Sequence, residues 1–211
     1  GGTPLAAAAR GGHTAVVEFF VQQGASLSTE MCGGCSVLHI AAANGHTAAV
    51  HALVRAGAPV DQCPPTNVTA LAAAVWEGRL EVVRVLHAAG AQADPPCKPS
   101  VMFAAAMTGN AELVAYLLQA GAQYQAYDET GITPLYAASL RGHMAIVEHL
   151  VNAIGDVDAP CTNGRATALH AAAYADRLAV VKRLVQRGAS VVAKDNDGYL
   201  PLHMAAESGA L

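Results

Sequence analysis

The chain has 211 residues, of which 53% are hydrophobic and only 5% aromatic, and a formal net charge of −4. It has no lysine- or arginine-rich run to meet nucleic acid or an anionic membrane surface. It also has no apolar stretch of bilayer length and no charged-then-apolar leader, so no membrane and no nucleic-acid partner is expected.

One motif recurs in order along the chain. A leucine or methionine stands at Leu5, Leu38, Leu71, Met102, Leu135, Leu169 and Leu202, spaced 33, 33, 31, 33, 34 and 33 residues apart. Seven residues after each comes a turn residue, glycine everywhere except Asp176. A fixed period of this size signals stacked supersecondary units, each burying its apolar face on the next. The first unit opens at Thr3-Pro4-Leu5, without the turn segment that precedes the others. The connecting segments, or fingers, run ten residues from Ser28 to Leu38, from Asp61 to Leu71, from Gln125 to Leu135 and from Val192 to Leu202. The finger from Asp94 to Met102 is shortened to eight residues and contains Pro95, Pro96 and Pro99, and that from Asp158 to Leu169 has eleven. Pro64-Pro65 interrupts another. Proline removes ladder donors, so these fingers are expected to be irregular.

The fifth repeat shows the unit most plainly. Thr133 suits an N-cap, and Pro134 fits the first helical position, where its missing N–H is no loss. Gly142 stops that helix after about two turns with a left-handed residue. A second helix follows, with Ile146, Val147, Leu150 and Val151 at helical spacing. Asp176 replaces the turn glycine of the sixth repeat, and aspartate tolerates the left-handed backbone better than most residues.

Thr133-Pro134-Leu135, Thr3-Pro4-Leu5, Leu38-His39-Ile40-Ala41-Ala42, Gly45-His46, Gly142-His143, Gly57-Ala58 and Gly188-Ala189 sit where the ankyrin-repeat family places its signature residues. The resemblance covers essentially the whole chain. It implies an all-α solenoid of helix-turn-helix units with short β-hairpin fingers. The implied domain is a single array over 1–211 whose seventh repeat stops after its first helix, a fragment of a longer protein. It further implies a concave face, built from fingers and first helices, that binds other proteins. The stretch from Thr66 to Leu71 and from Gly78 to Val83 is also similar to repeats in the Fem family of ubiquitin-ligase substrate receptors.

Helical phase locates the candidate surface. With each repeat leucine at zero degrees and about 100° per residue, the third and fourth positions onward face the core and the fifth and sixth face away. That rule places Trp76, Met107, Leu140 and Tyr174 in one apolar row, with Asn44, Glu77 and Arg141 beside it and Ile132 and Tyr199 extending it from the fingers. A contiguous apolar strip usually marks a binding site, and aromatic residues are favoured anchors. The other reading folds these side chains down onto the finger bases.

Of the five cysteines, Cys32, Cys35, Cys63, Cys97 and Cys161, the first two have metal or redox spacing. No matched fourth ligand accompanies them, so free thiols, no metal and an intracellular location are expected. The histidines divide between places after the turn glycine (His13, His46, His143), places after the repeat leucine (His39, His170, His203) and second helices (His51, His87, His149). The first two groups are expected to make structural hydrogen bonds. No nucleophile elbow, phosphate loop or paired zinc-histidine motif is present, so no catalysis and no cofactor is expected. The reading is a monomeric module binding a protein or peptide with apolar anchors. Its rivals are a substrate-receptor or scaffold subunit of a larger complex such as a ubiquitin ligase, and a structural spacer.

Overall fold

The computed structural model describes residues 2–27, 34–64, 68–93, 100–124, 128 and 130–209. Among them every regular element is a helix, and the chain divides into two compact units, Gly1–Val101 and Met102–Leu211. The first unit holds α1 (Pro4–Arg10), α2 (Thr14–Gln22), α3 (Val37–Ala43), α4 (Thr47–Arg55), α5 (Ala70–Trp76) and α6 (Leu80–Ala88). The boundary falls at the start of α7 (Val101–Thr108). The second unit continues with α8 (Ala111–Gln119), α9 (Pro134–Arg141), α10 (Met144–Ala153), α11 (Ala168–Tyr174), α12 (Leu178–Gln186) and α13 (Pro201–Glu207).

Within each unit first helices pack on first helices and second on second: α1 on α3 on α5, α2 on α4 on α6, α8 on α10 on α12, and α9 on α11 on α13. The local signals explain each start. The Thr3, Thr69 and Thr133 hydroxyls accept from the backbone N–H three residues on, at 3.1–3.2 Å, which satisfies an otherwise orphaned donor. The core is small by design. Alanines such as Ala9, Ala41, Ala42, Ala74 and Ala138 are fully buried and let neighbouring helices approach closely.

The motif leucines up to Leu169 are at most 4% exposed, whereas Leu202 is 63% exposed. The expectation of a core leucine in every repeat therefore fails at Leu202, because no second helix covers α13 among the described residues. No strand occurs among the described residues, which leave out parts of several fingers. In two fingers a carboxylate helps to close the loop. Asp128 accepts from the N–H groups of Thr130 and Ile132 (3.0 and 2.7 Å), and Asp195 from those of Asp197 and Tyr199 (3.0 and 2.8 Å). Two backbone hydrogen bonds lie within each loop, and further bonds run sideways to the next finger. A carboxylate accepting two amides leaves fewer donors for a ladder. Cys32, Cys97, Asn67 and the prolines Pro65, Pro95, Pro96 and Pro99 lie outside the described residues.

The turn motif has a lateral purpose. Gly12, Gly45, Gly109 and Gly142 all take left-handed φ, and in each case a side chain from the next repeat lies directly over the glycine. Two of those side chains, His46 and Arg79, come from the first unit, and two, His143 and Arg177, from the second. His46 Nε2 meets the Arg10 carbonyl at 2.8 Å, while Arg79 and Arg177 donate to Ala43 and Leu140 at 3.4 Å. Asp176 keeps the left-handed turn at φ 53°.

His39 and His170 close capping boxes, with Nδ1 accepting from the backbone N–H of Ser36 and Thr167 (3.2 and 3.1 Å). That bond leaves the proton on Nε2. His170 passes it to the Tyr199 carbonyl at 3.1 Å; His39 Nε2 is buried with no partner in bonding geometry. Burial pushes His39 below the ordinary histidine range, with backbone groups of Val68 and Gln62 pulling less strongly the other way. A depressed folded-state value means stability that is present above about pH 6.5 and lost as pH falls through the folded value. Melting followed from pH 7 to pH 5 should therefore show a loss that flattens in His39→Asn, which keeps an acceptor for Ser36. An identical slope in the variant would contradict this assignment.

Candidate functional site

The first unit carries three of the nine candidate residues. Trp76 ends α5 and is half-buried, Glu77 follows it exposed, and Asn44 follows α3 exposed, its amide donating to the Ile40 carbonyl at 2.8 Å. The second unit carries six. Met107 on α7 and Leu140 on α9 are half-buried, Arg141 at the end of α9 is exposed, and Tyr174 at the end of α11 is 52% exposed. Ile132 is half-buried at a finger base, and Tyr199 is 44% exposed on the next finger but one. None of the nine is a core residue.

The structure gathers α9, α11 and α13 side by side, which sets Leu140 and Tyr174 at equivalent places on adjacent helices. Tyr199 is held firmly at this face. Its N–H is bound by Asp195, its carbonyl by His170, and its ring stands edge-on to His203 at 5.8 Å and 86°. An aromatic side chain fixed through its backbone loses little freedom on binding, which suits an anchor.

Helical phase misses Tyr136, which comes directly after the repeat leucine and falls outside the outward row. It is half-buried, and burial pushes its hydroxyl above the ordinary tyrosine range, with Cys161 and Tyr174 adding to the shift. Tyr136 thus lies near enough to Tyr174 for the two hydroxyls to interact electrostatically. Its place at about 100° on the helical wheel was the available signal.

The cysteines correct one expectation. Cys35 and Cys161 carry free thiols, but Cys63 is disulfide-bonded, and its partner lies outside the described residues. Fingers one period apart stack against each other, as when Gln92 N–H donates to the Asp61 carboxylate at 3.0 Å, so a finger cysteine readily meets a counterpart. Cys161 is buried, and that burial holds its thiol above the usual range, with Thr133 opposing and Asp128 adding. Alkylation of the native protein followed by mass spectrometry should label Cys35, label Cys161 only on unfolding, and label Cys63 only after reduction. Labelling of Cys63 without reductant would contradict the disulfide. Among the described residues no group of three or more His, Cys, Asp and Glu side chains is gathered to hold a metal, and no helix is long and apolar enough to cross a membrane.

Comparison with known proteins gives a consistent result. The family profile described as "Ankyrin repeats (3 copies)" matches residues 5–96, 71–160 and 154–211. The chain is similar to the solved human ASB11 ankyrin repeat domain, with 27% identity, a TM-score of 0.87 and coverage of 97% of this chain and 92% of that one. It is also similar to the ankyrin repeat domain of Bcl-3, described as a unique member of the IkappaB protein family, at 27% identity, a TM-score of 0.83 and coverage of 97% and 94%. No curated protein sequence matches it, so the likeness to the Fem receptors stands on the quoted residues alone. With the profile spanning nearly the whole chain and the stacked helix pairs in place, this chain belongs to the ankyrin-repeat family.

Proposed function

We propose that the chain is a non-catalytic interaction module that holds a protein or peptide with spaced apolar anchors on the face made by its first helices and fingers. Ankyrin repeat domains are in general protein-interaction modules. The observation that carries the finer reading is the exposure of Tyr174 and Tyr199, 52% and 44%, on a face whose supporting groups are packed and hydrogen-bonded. Two tyrosines with half their surface open, flanked by Leu140 and Ile132, have the makings of interface hot spots. In the second unit the anchors are Met107, Ile132, Leu140, Tyr174 and Tyr199, with Arg141 as a polar rim. Asn44, Trp76 and Glu77 take the same role in the first.

The test is selection from a displayed library of random peptides. Peptides recovered with the native chain should carry apolar residues at regular spacing. They should not be recovered with a Tyr174→Ala, Tyr199→Ala double variant. Recovery of the same peptides by both proteins would return the chain to a spacer reading.

A further inference from the structure

Two Asn-Gly pairs in the chain share a sequence and a backbone conformation yet differ in how they are held. Gly45 and Gly164 both take left-handed φ, +78° and +76°. At Asn44-Gly45 the Asn44 amide donates to the Ile40 carbonyl at 2.8 Å, and the Gly45 N–H donates to the Ala42 carbonyl at 3.1 Å. The Arg79 side chain lies over that glycine. Asn163-Gly164, in the turn between α10 and α11, has none of these restraints. Both residues are exposed, and neither the Asn163 side chain nor the Gly164 N–H makes a hydrogen bond among the described residues. Nothing lies within 4 Å of the place where a Gly164 Cβ would be. The related pair Asp197-Gly198 is held as well, its glycine N–H donating to the Asp195 carbonyl at 3.2 Å.

We propose that Asn163 is a self-modification site, where the Gly164 nitrogen closes a ring on the Asn163 amide and the ring opens to isoaspartate. The Gly164 N–H loses its proton to hydroxide, and the nitrogen attacks the side-chain carbonyl carbon of Asn163. A new C–N bond forms there. The bond from that carbon to the amide nitrogen breaks, and the nitrogen takes a proton from water and leaves as ammonia. Glycine permits the attack because it has no Cβ to block the approach. Water then opens the succinimide. Attack at the main-chain carbonyl routes the chain through the side-chain carbons and frees an α-carboxylate, while attack at the other carbonyl gives ordinary aspartate. In sum one water is consumed, one ammonium ion departs and the chain gains one negative charge. The β-linked product is also one methylene longer, at a place tied on both sides. The Thr162 N–H donates to the Gly131 carbonyl at 2.9 Å, and the Gly164 carbonyl accepts from the Asn196 N–H at 2.8 Å. Lengthening the chain between these two anchors moves one of them off its partner, so the modification uncouples this finger from a neighbour.

The test ages the whole chain at neutral pH and follows both asparagines by peptide mapping. Asn163 should convert about tenfold faster than Asn44 or more, because two hydrogen bonds must break before Asn44 can cyclise. In denaturant the two rates should converge, since glycine follows both asparagines. Asn163→Gln, whose longer side chain closes its ring far more slowly, should stay intact. Equal rates in the native chain, or a ratio that persists in denaturant, overturns the proposal. The β-linked form, separated by chromatography, should exchange the Thr162 and Asn196 amide protons about tenfold faster than the native chain. Asn163→Asp carries the same charge on an ordinary backbone and should exchange as the native chain does. Unchanged exchange in the β-linked form would show that the stack absorbs the extra methylene, and overturns the uncoupling.

Discussion

Gly131→Ala should destabilise the second unit by about 2–4 kcal/mol, one of the larger effects open to a single methyl group. The first contribution is conformational. Gly131 has φ +79°, a left-handed value that costs an L-residue about 1–2 kcal/mol. The second is steric. An added Cβ would overlap the Thr162 hydroxyl and come within 3.1 Å of the Asn163 nitrogen and Thr162 Cβ. Rotating the threonine clears its hydroxyl but leaves the other two contacts. The fingers have little room to part, since the Thr162 N–H donates to the Gly131 carbonyl at 2.9 Å. Gly121 is the internal control, with φ +83° and nothing within 4 Å of where a Cβ would sit. Denaturant unfolding of the two alanine variants separates strain from contact. Equal losses would show that the finger stack yields freely.

Much of this fold was legible in advance because one signal was repeated seven times. Thr133, Pro134 and Gly142 mark helix ends through local chemistry, and local chemistry survives whatever tertiary context surrounds it. Asp176 stands in a glycine's place in the motif and takes a glycine's φ for the same reason. What failed was what depends on neighbours. Leu202 matches the motif as well as Leu38 does and is exposed, with no second helix beside α13 among the described residues. At the two fingers described around Asp128 and Asp195, carboxylates take amides that a longer ladder would use. Cys63 is disulfide-bonded, which an odd cysteine count hides. At the candidate face, helical phase put Leu140 and Tyr174 outward. It passed over Tyr136, which is half-buried and lies within electrostatic reach of Cys161 and Tyr174.

Tyr174→Ala should weaken a selected peptide by about 2 kcal/mol, close to thirtyfold in Kd, as for an interface hot spot. Folding stability should change by less than about 1 kcal/mol, because half the ring already faces solvent and its removal leaves no closed cavity. Tyr136→Phe serves as the partner experiment. It keeps the half-buried ring and removes only the hydroxyl, so peptide affinity should be nearly unchanged. The opposite pattern for Tyr174→Ala would be intact binding with a loss of about 3–5 kcal/mol in stability, typical of a buried aromatic. That pattern would make the tyrosine a packing residue.

The most direct measurement is amide hydrogen exchange with and without a selected peptide. Added protection should fall on the first helices and finger bases of the second unit, at residues 130–141, 167–175 and 195–203. The second helices α8, α10 and α12 should exchange as they do in the free protein. Protection confined to those second helices, with residues 130–141 and 167–175 unaffected, would contradict the placement of the binding face.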